Sequence, residues 1–71
     1  MDKVIIVVAG NHREFGYFLS TIPIGGRQKY VEASYPERIR GLVAEKVITV
    51  GTWYERKDGY DILEEANSRV R

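Results

Sequence analysis

The sequence predicts a minimal Rossmann-like α/β fold: a three-layer α/β/α sandwich with a three-stranded parallel sheet of strand order 2-1-3. Strand-like and helix-like patterns alternate along the chain as β-α-β-α-β-α, which is the order that produces parallel sheets. Two β-branched runs, at 4–9 and 46–50, each end at a glycine and are typical of strands covered on both faces. With 71 residues, the chain is expected to form one domain, residues 1–71.

The first strand and helix follow from a change in periodicity. The run Val-Ile-Ile-Val-Val-Ala at 4–9 predicts β1, and Asn11 with Glu14 three residues later is expected to form the capping box that starts α1. Gly16 within the helix costs about 1 kcal/mol relative to alanine, so we expect another element to approach it closely. Pro23 ends the helix. Its apolar face consists of Phe15, Phe18, Leu19 and Ile22.

The middle of the chain predicts a short edge strand and a short helix. Residues 23–26 are expected to form a connecting loop, and residues 28–34 alternate with enough polarity for a half-exposed edge strand, β2. Ser34 and Glu37 are expected to form a second capping box, which starts α2, a helix of barely two turns. This helix ends at Gly41 in a predicted Schellman motif.

The last third of the chain repeats the alternation. The run Lys-Val-Ile-Thr-Val at 46–50 predicts β3, which Gly51 ends. Asp58 is a preferred N-cap residue for α3, and the apolar stripe of this helix includes Val70, so the chain is expected to end as helix. The other members of the stripe are Ile62, Leu63 and Ala66.

Strand order 2-1-3 places the most apolar strand in the centre and the polar β2 at an edge. The alternative order 3-2-1 would bury β2. In the favoured order the crossovers leave β1 in opposite directions, so a topological switch point lies between β1 and β3. Open α/β sheets bind ligands at such a point, at the carboxyl ends of the strands. This crevice is therefore the candidate ligand site.

Six residues at the crevice are candidates for binding a nucleotide or another anion. The amino terminus of α1 offers free amides and the positive end of the helix dipole, which suit a phosphate or carboxylate. No G-x-G-x-x-G follows β1 and no P-loop motif occurs in the chain, so both nucleotide signatures are missing. An ordinary capped turn explains the same residues. The candidates are Gly10, Asn11, His12, Arg13, Gly51 and Thr52.

The sequence contains no recognisable catalytic constellation, and we expect no enzymatic activity, cofactor or metal ion. His12 is the only histidine, and no motif ties a serine or threonine to it, so it lacks both metal co-ligands and a nucleophile. Glu14, Asp58 and Asp61 are each assigned to the first turn of a helix. Glu55 is then left without a second carboxylate.

Composition argues against nucleic acid and membranes as partners. Lys and Arg total 11 against 10 Asp and Glu, for a net charge of +1, which gives no broad field to hold a polyanion. The longest apolar run is far shorter than the roughly 20 residues that a bilayer span needs, and the expected location is the cytoplasm. Without cysteine, the chain cannot use disulfides for stability.

The aromatic residues indicate a protein interface. The chain has one Trp and five Tyr, and several of them lie off the apolar stripes; these residue types are enriched at binding hot spots. The candidate interface residues are Trp53, Tyr54, Arg56 and Tyr60, with the alternative that Trp53 and Tyr54 form a lid on the end of the sheet. Because so small a chain buries only about 60% of its surface, homo-oligomerisation is a further expectation.

Three segments carry a resemblance to a group of known proteins. They are Val-Ile-Ile-Val-Val-Ala-Gly-Asn-His-Arg-Glu-Phe at 4–15, Ile-Arg-Gly-Leu at 39–42, and the stretch 47–70 with Val-Ile-Thr-Val-Gly-Thr-Trp-Tyr-Glu-Arg and Asp-Gly-Tyr-Asp-Ile-Leu-Glu-Glu-Ala. In these segments the chain resembles small accessory proteins of tailed actinobacteriophages. The resemblance supplies no catalytic residue or cofactor. It implies a phage product in the host cytoplasm that binds and modulates a host protein and inhibits growth when overexpressed.

Overall fold

A three-stranded parallel sheet forms the centre of the molecule. The computed structural model describes residues 3–71 and places β1 at Val4–Ala9, β2 at Tyr30–Glu32 and β3 at Ala44–Val50. The strands lie in the order β2-β1-β3, and both pairings are parallel. The predicted fold class and strand order are therefore confirmed.

Strand β1 is central because it is the only one of the three strands without a polar side chain. All of its residues except Val4 are buried. Ile6 and Val8 face one hydrophobic cluster, while Val7 and Ala9 face a second cluster across the sheet, as the alternation of a strand requires. The sheet thus has a core on each face.

Helix α1 (His12–Ser20) covers one face of the sheet. Phe15 is buried in one cluster with Val7, and the ring of Phe18 packs edge-on against Tyr30 with ring centres 5.5 Å apart. The apolar spacing predicted for this helix therefore does bring its side chains onto the sheet.

Two predictions for α1 have opposite outcomes. The Oδ1 atom of Asn11 accepts a hydrogen bond from the amide of Glu14 at 2.9 Å, which confirms Asn11 as the N-cap residue. Gly16 is exposed, and a Cβ atom built there would meet nothing within 4 Å. The expected close approach at Gly16 is therefore wrong.

Helices α2 (Pro36–Ile39) and α3 (Gly59–Ser68) cover the opposite face. Ile39, Ile62 and Ala66 are fully buried and share one cluster with β1. The predicted stripe of α3 is therefore confirmed at Ile62 and Ala66. The third layer of the sandwich consists of the short helix α2 and the longer helix α3.

The segment between α1 and β2 is helical where a loop is predicted. Ile24–Lys29 forms a 3₁₀ helix, and it takes residues 28 and 29 from the predicted strand. Strand β2 is consequently three residues long and half-buried. The prediction of an edge strand is right, but its bounds of 28–34 are wrong.

The start of α2 lacks the predicted capping box. Its N-cap residue is Tyr35 rather than Ser34, and no side chain caps it. Pro36 instead occupies the first turn, where its fixed φ suits a helix and its missing N–H costs no bond. The helix is one turn long.

A type II turn, rather than the predicted Schellman motif, ends α2. Arg40 has φ −63° and ψ 137°, and Gly41 has φ 87°, as the two central residues of such a turn require. The amide of Leu42 donates to the carbonyl of Ile39 at 3.2 Å. The glycine is thus needed for its positive φ, although in a different turn.

The chain leaves α3 and adds to the sheet, so the expected helical end is wrong. After Ser68, Val70 forms a parallel bridge to Ala44. The amide of Ala44 donates to the carbonyl of Arg69 at 2.9 Å, and the amide of Arg71 donates to the carbonyl of Ala44 at 3.1 Å. Val70 belongs to this sheet edge rather than to the stripe of α3.

Strand β3 is more exposed than its sequence predicts. Only Ala44 is buried; Val47, Ile48 and Val50 are half-buried, and the other positions are exposed. The strand lies at the edge of the sheet, so the helices on either face cover it only in part. Within residues 3–71, no helix has the length and apolar character needed to cross a membrane.

Candidate functional site

One loop crosses the carboxyl ends of the strands and carries half of the candidate residues. This β3–α3 loop, residues 51–58, starts at Gly51, whose φ of 60° favours glycine, and it contains the 3₁₀ helix Trp53–Glu55. Hydrogen bonds join the loop to α1 and to the ends of β1 and β2. The strand order predicts this location for a site.

The carboxylate of Glu14 fixes the start of the β3–α3 loop. Its Oε1 atom accepts hydrogen bonds from the amide and the hydroxyl of Thr52, both at 3.0 Å. The carboxylate also lies so close to Gly10 and Gly51 that a methyl group at either position would overlap it. Glu14 therefore uses its side chain to hold the loop. In the predicted capping box this side chain would accept a bond from the amide of Asn11, and that part of the prediction is wrong.

This carboxylate occupies the crevice in which the sequence suggests an anion. Gly10, Gly51 and Thr52 do come together at the ends of β1 and β3, but they do so around Glu14. A phosphate at the same place would face a negative charge at short range, which is unfavourable. The chain thus supplies its own anion to this end of the sheet.

The two basic candidates lie at the surface beside the crevice. The Nδ1 atom of His12 is 2.8 Å from Oε1 of Glu32 at the end of β2, and the histidine side chain is 87% exposed. Arg13 is also exposed. Among residues 3–71, no three histidine or acidic side chains are grouped so that they could hold a metal ion.

Arg56 closes the ends of β1 and β2. Its Nη1 atom donates to the carbonyl oxygens of Ala9 at 3.0 Å and Ala33 at 3.3 Å, and its Nη2 atom donates to the carbonyl of Ser34 at 2.6 Å. The guanidinium also pairs with Asp58, with Nε 3.1 Å from Oδ1. Because the side chain is only 18% exposed, it serves mainly to hold the loop to the sheet.

Asp58 is the N-cap residue of α3 by position but not by hydrogen bonding. Its side chain makes no capping bond and accepts from Arg56 instead. A carboxylate at this position orients the guanidinium that reaches the strand ends. The predicted capping role of Asp58 is therefore replaced by a contact within the loop.

The aromatic residues of the loop and of α3 form a cluster of three rings, which we term the aromatic cluster: Trp53, Tyr54 and Tyr60. The Trp53 ring stands edge-on to Tyr60, with centres 5.1 Å apart, and perpendicular to Tyr54 at 6.1 Å. Trp53 is half-buried against the core below α3. Tyr54 is 55% exposed and Tyr60 is 66% exposed, so one ring anchors the cluster and two face solvent.

Gly59 allows the loop to pass directly under the aromatic cluster. It is buried, and a Cβ atom there would overlap the carbonyl oxygen of Trp53. The amide of Gly59 also donates to the carbonyl of Arg56 at 3.2 Å. Only glycine fits this close approach without displacing the backbone.

The sequence does not predict the roles of Glu14 and Gly59. The capping-box spacing explains Glu14 locally, and the glycine after an N-cap residue suggests nothing by itself. The sequence feature that could have predicted the role of Glu14 is the glycine that follows both β1 and β3. In strand order 2-1-3 these two glycines are neighbours, and they leave room for one side chain. Glu14 lies one helical turn beyond the first of them.

Lys29 and Arg40 each pair with a separate acidic side chain at the surface. The Nζ atom of Lys29 lies 2.7 Å from Glu45, and Nε of Arg40 lies 3.3 Å from Glu65. The hydrogen bond from Lys29 lowers the pKa of Glu45. Hydrogen bonds from Ser68 and then from Arg40 lower the pKa of Glu65. These charges form mixed pairs at the surface.

Comparisons with protein-family models, with curated proteins and with solved structures return no match for this chain.

Proposed function

We propose that this protein is a non-enzymatic binding domain whose aromatic cluster contacts another protein. The observation that carries the proposal is the pair of exposed rings, Tyr54 and Tyr60, flanking the anchored ring of Trp53. Tyr and Trp contribute large contact areas at low entropic cost, and they dominate binding hot spots.

The fixed backbone beneath the rings supports this function. Glu14 binds the loop at Thr52, and Arg56 ties it to three carbonyl oxygens at the strand ends. A surface that is already ordered loses little conformational entropy on association. The loop is thus suited to present its side chains in one arrangement.

The surroundings of the aromatic cluster suit a polar rim. Glu55, Lys57 and Asp61 are exposed and carry both signs of charge. Interfaces commonly combine an aromatic centre with charged residues at the margin, where water remains. We expect the partner to offer an apolar pocket for at least one tyrosine ring.

The resemblance to accessory proteins of tailed actinobacteriophages supplies the biological setting of the proposal. In that setting the partner is a host bacterial protein, the site of action is the host cytoplasm, and the consequence of binding is altered activity of the partner. Overexpression in an actinobacterial host is then expected to inhibit growth.

Affinity capture from an actinobacterial lysate tests the proposal. The full chain is expected to recover a host protein that the double variant Tyr54→Ala/Tyr60→Ala recovers at least about tenfold less well, since two hot-spot side chains are lost. Tyr35→Ala is the matched control, because Tyr35 is similarly exposed, at 51%, but lies outside the cluster. Circular dichroism checks that all variants fold. Equal recovery by both variants would overturn the assignment of this surface.

A further inference from the structure

The outer edge of β3 is open beyond its first residue. Val70 covers this edge at Ala44, and within residues 3–71 no strand pairs with residues 45–50 on the side away from β1. The last four residues of the strand, Val-Ile-Thr-Val, have high β-propensity and carry no charge. Edge strands with such properties readily pair with another strand.

A groove runs between α1 and this edge. Its volume is about 400 Å³, and it is lined by Glu14, Tyr17, Phe18, Val50 and Gly51. The rings and Val50 supply apolar lining, and Glu14 is the one charged residue that lines the groove. A lysine side chain has the matching chemistry, because its aliphatic stem packs on apolar surface while its ammonium group seeks an acid.

Lys46 is on the same edge and the same face as the groove. It lies opposite Ile5 in the sheet register, and the alternation of a strand puts residues 46, 48 and 50 on the side where Val50 packs beside α1. Lys46 is exposed, and none of the ion pairs within residues 3–71 includes it. It lies too far along its own strand from Val50, four residues away, to be the occupant of its own groove.

We propose that β3 is the docking edge for a second copy of this chain, with the two β3 strands antiparallel about a two-fold axis at Ile48. The two sheets then become one six-stranded sheet. In this register Lys46 of each copy lies directly opposite Val50 of the other copy, lays its stem across the groove, and pairs with Glu14. The interface is self-complementary, as a two-fold interface must be.

The ends of the open edge restrict the register. Val70 occupies the edge at Ala44, and the positive φ of Gly51 turns the chain after Val50. An axis at Ile48 uses residues 46–50, which fit between these limits. An axis one residue earlier would place Lys46 opposite Ile48 and move its ammonium group away from Glu14. Charge complementarity therefore selects the axis at Ile48.

Sedimentation equilibrium at several concentrations tests the dimer and its charge pair. The wild-type chain is expected to dimerise, and Lys46→Glu is expected to raise the dimer dissociation constant at least about tenfold, because it places two like charges together in each of two sites. Lys57→Glu makes the same charge change at an exposed position of the β3–α3 loop and is expected to leave the constant unchanged. A wild-type chain that stays monomeric at millimolar concentration would overturn the proposal, as would equal effects of the two variants.

Cysteine cross-linking tests the register directly, since the natural chain has no cysteine. Residues that face each other in an antiparallel pair have Cα atoms about 4.5–5.5 Å apart, within disulfide range. Ile48→Cys is therefore expected to form a covalent dimer on mild oxidation. Thr49→Cys is the control, because its two copies lie more than about 7 Å apart in this register. Cross-linking of Thr49→Cys in preference to Ile48→Cys would refute the axis.

Discussion

The carboxyl and amino ends of the sheet both carry charged side chains, but they hold them in different ways. At the carboxyl end, Glu14 and Arg56 bind mainly backbone amides and carbonyls and are partly buried. At the amino end, Lys29 and Glu45 pair with each other while 49% and 41% of their side chains remain exposed. Charged side chains of both signs thus order a loop at the carboxyl end and form an exposed pair at the amino end.

The difference follows from what the charged groups replace. Parallel strands that end together leave carbonyl and amide groups without sheet partners, and burying these groups unpaired is costly. Arg56 and Glu14 bond to such groups. Removing either side chain therefore leaves backbone groups without a partner, which lowers the free energy of unfolding. An exposed ion pair replaces only water and gains little.

Replacement of Arg56 is the strongest way to test this comparison. Arg56→Ala leaves the carbonyls of Ala9, Ala33 and Ser34 without their donor, and we expect a loss of about 2–4 kcal/mol in the free energy of unfolding. Urea denaturation measures it. Arg13→Ala, which removes an exposed arginine, is the control and should change stability by less than about 0.5 kcal/mol. Equal losses would show that Arg56 stabilises the chain no more than an exposed arginine does.

A methyl group at Gly59 is expected to have the next largest effect. Gly59→Ala forces the Trp53 carbonyl to move, and such overpacking costs about 1–3 kcal/mol. Gly16→Ala is the matched control in α1. The space around Gly16 is open, and alanine there should stabilise the chain by up to about 1 kcal/mol. In thermal melts, Gly59→Ala is expected to lower the Tm and Gly16→Ala to raise it. A stabilised Gly59→Ala variant would contradict the close approach under the aromatic cluster.

Neutralising Glu14 should have a moderate effect that is local to the loop. Glu14→Gln keeps one acceptor oxygen for Thr52 but loses the charge that strengthens its hydrogen bonds, which is worth about 1 kcal/mol. Amide hydrogen exchange should become faster at Thr52. Glu64→Gln changes an exposed glutamate of α3 and should leave that amide unaffected. Unchanged protection at Thr52 in Glu14→Gln would show that Glu14 does not hold the loop.

The smallest effect is expected for the exposed pair at the amino end. The pKa of Glu45 is lowered by the hydrogen bond from Lys29, so its contribution to stability is present above the ordinary glutamate pKa and is lost as the pH falls through the lowered value. The stability difference between wild type and Glu45→Gln should therefore be small and positive at neutral pH and vanish in acid. Denaturant midpoints measured from pH 7 to pH 3 check this. A difference that grows in acid would have the wrong sign.

The fold was predictable because strand composition differs so clearly. A wholly apolar β1 beside a polar β2 leaves one sensible order, and the structure has it. The connections were less predictable, because their bonds depend on what lies nearby in space. The sequence predicts a capping role for both Glu14 and Asp58. In the structure, Glu14 binds Thr52 and Asp58 binds Arg56, and both of these partners lie in the β3–α3 loop.

The candidate site was predictable in place and not in detail. The crevice lies where β1 and β3 end, as the switch-point rule requires, and Trp53 proves to be the half-buried anchor of two exposed tyrosines. That Arg56 is turned inward could not be foreseen, since an arginine between aromatic residues equally suits an exposed contact. Its inward position depends on three carbonyl oxygens at the strand ends, which accept its hydrogen bonds.

The bonds of Arg56 also have a consequence for the rates of folding and unfolding. They join residues that are 47 and 22 positions apart in the chain, so they cannot form until both strand ends are already in place. Interactions that form after the transition state change the unfolding rate and hardly affect the folding rate. We expect these bonds to form late in folding, so Arg56→Ala should mainly accelerate unfolding, and with it cleavage by proteases that act faster than the opened chain recloses.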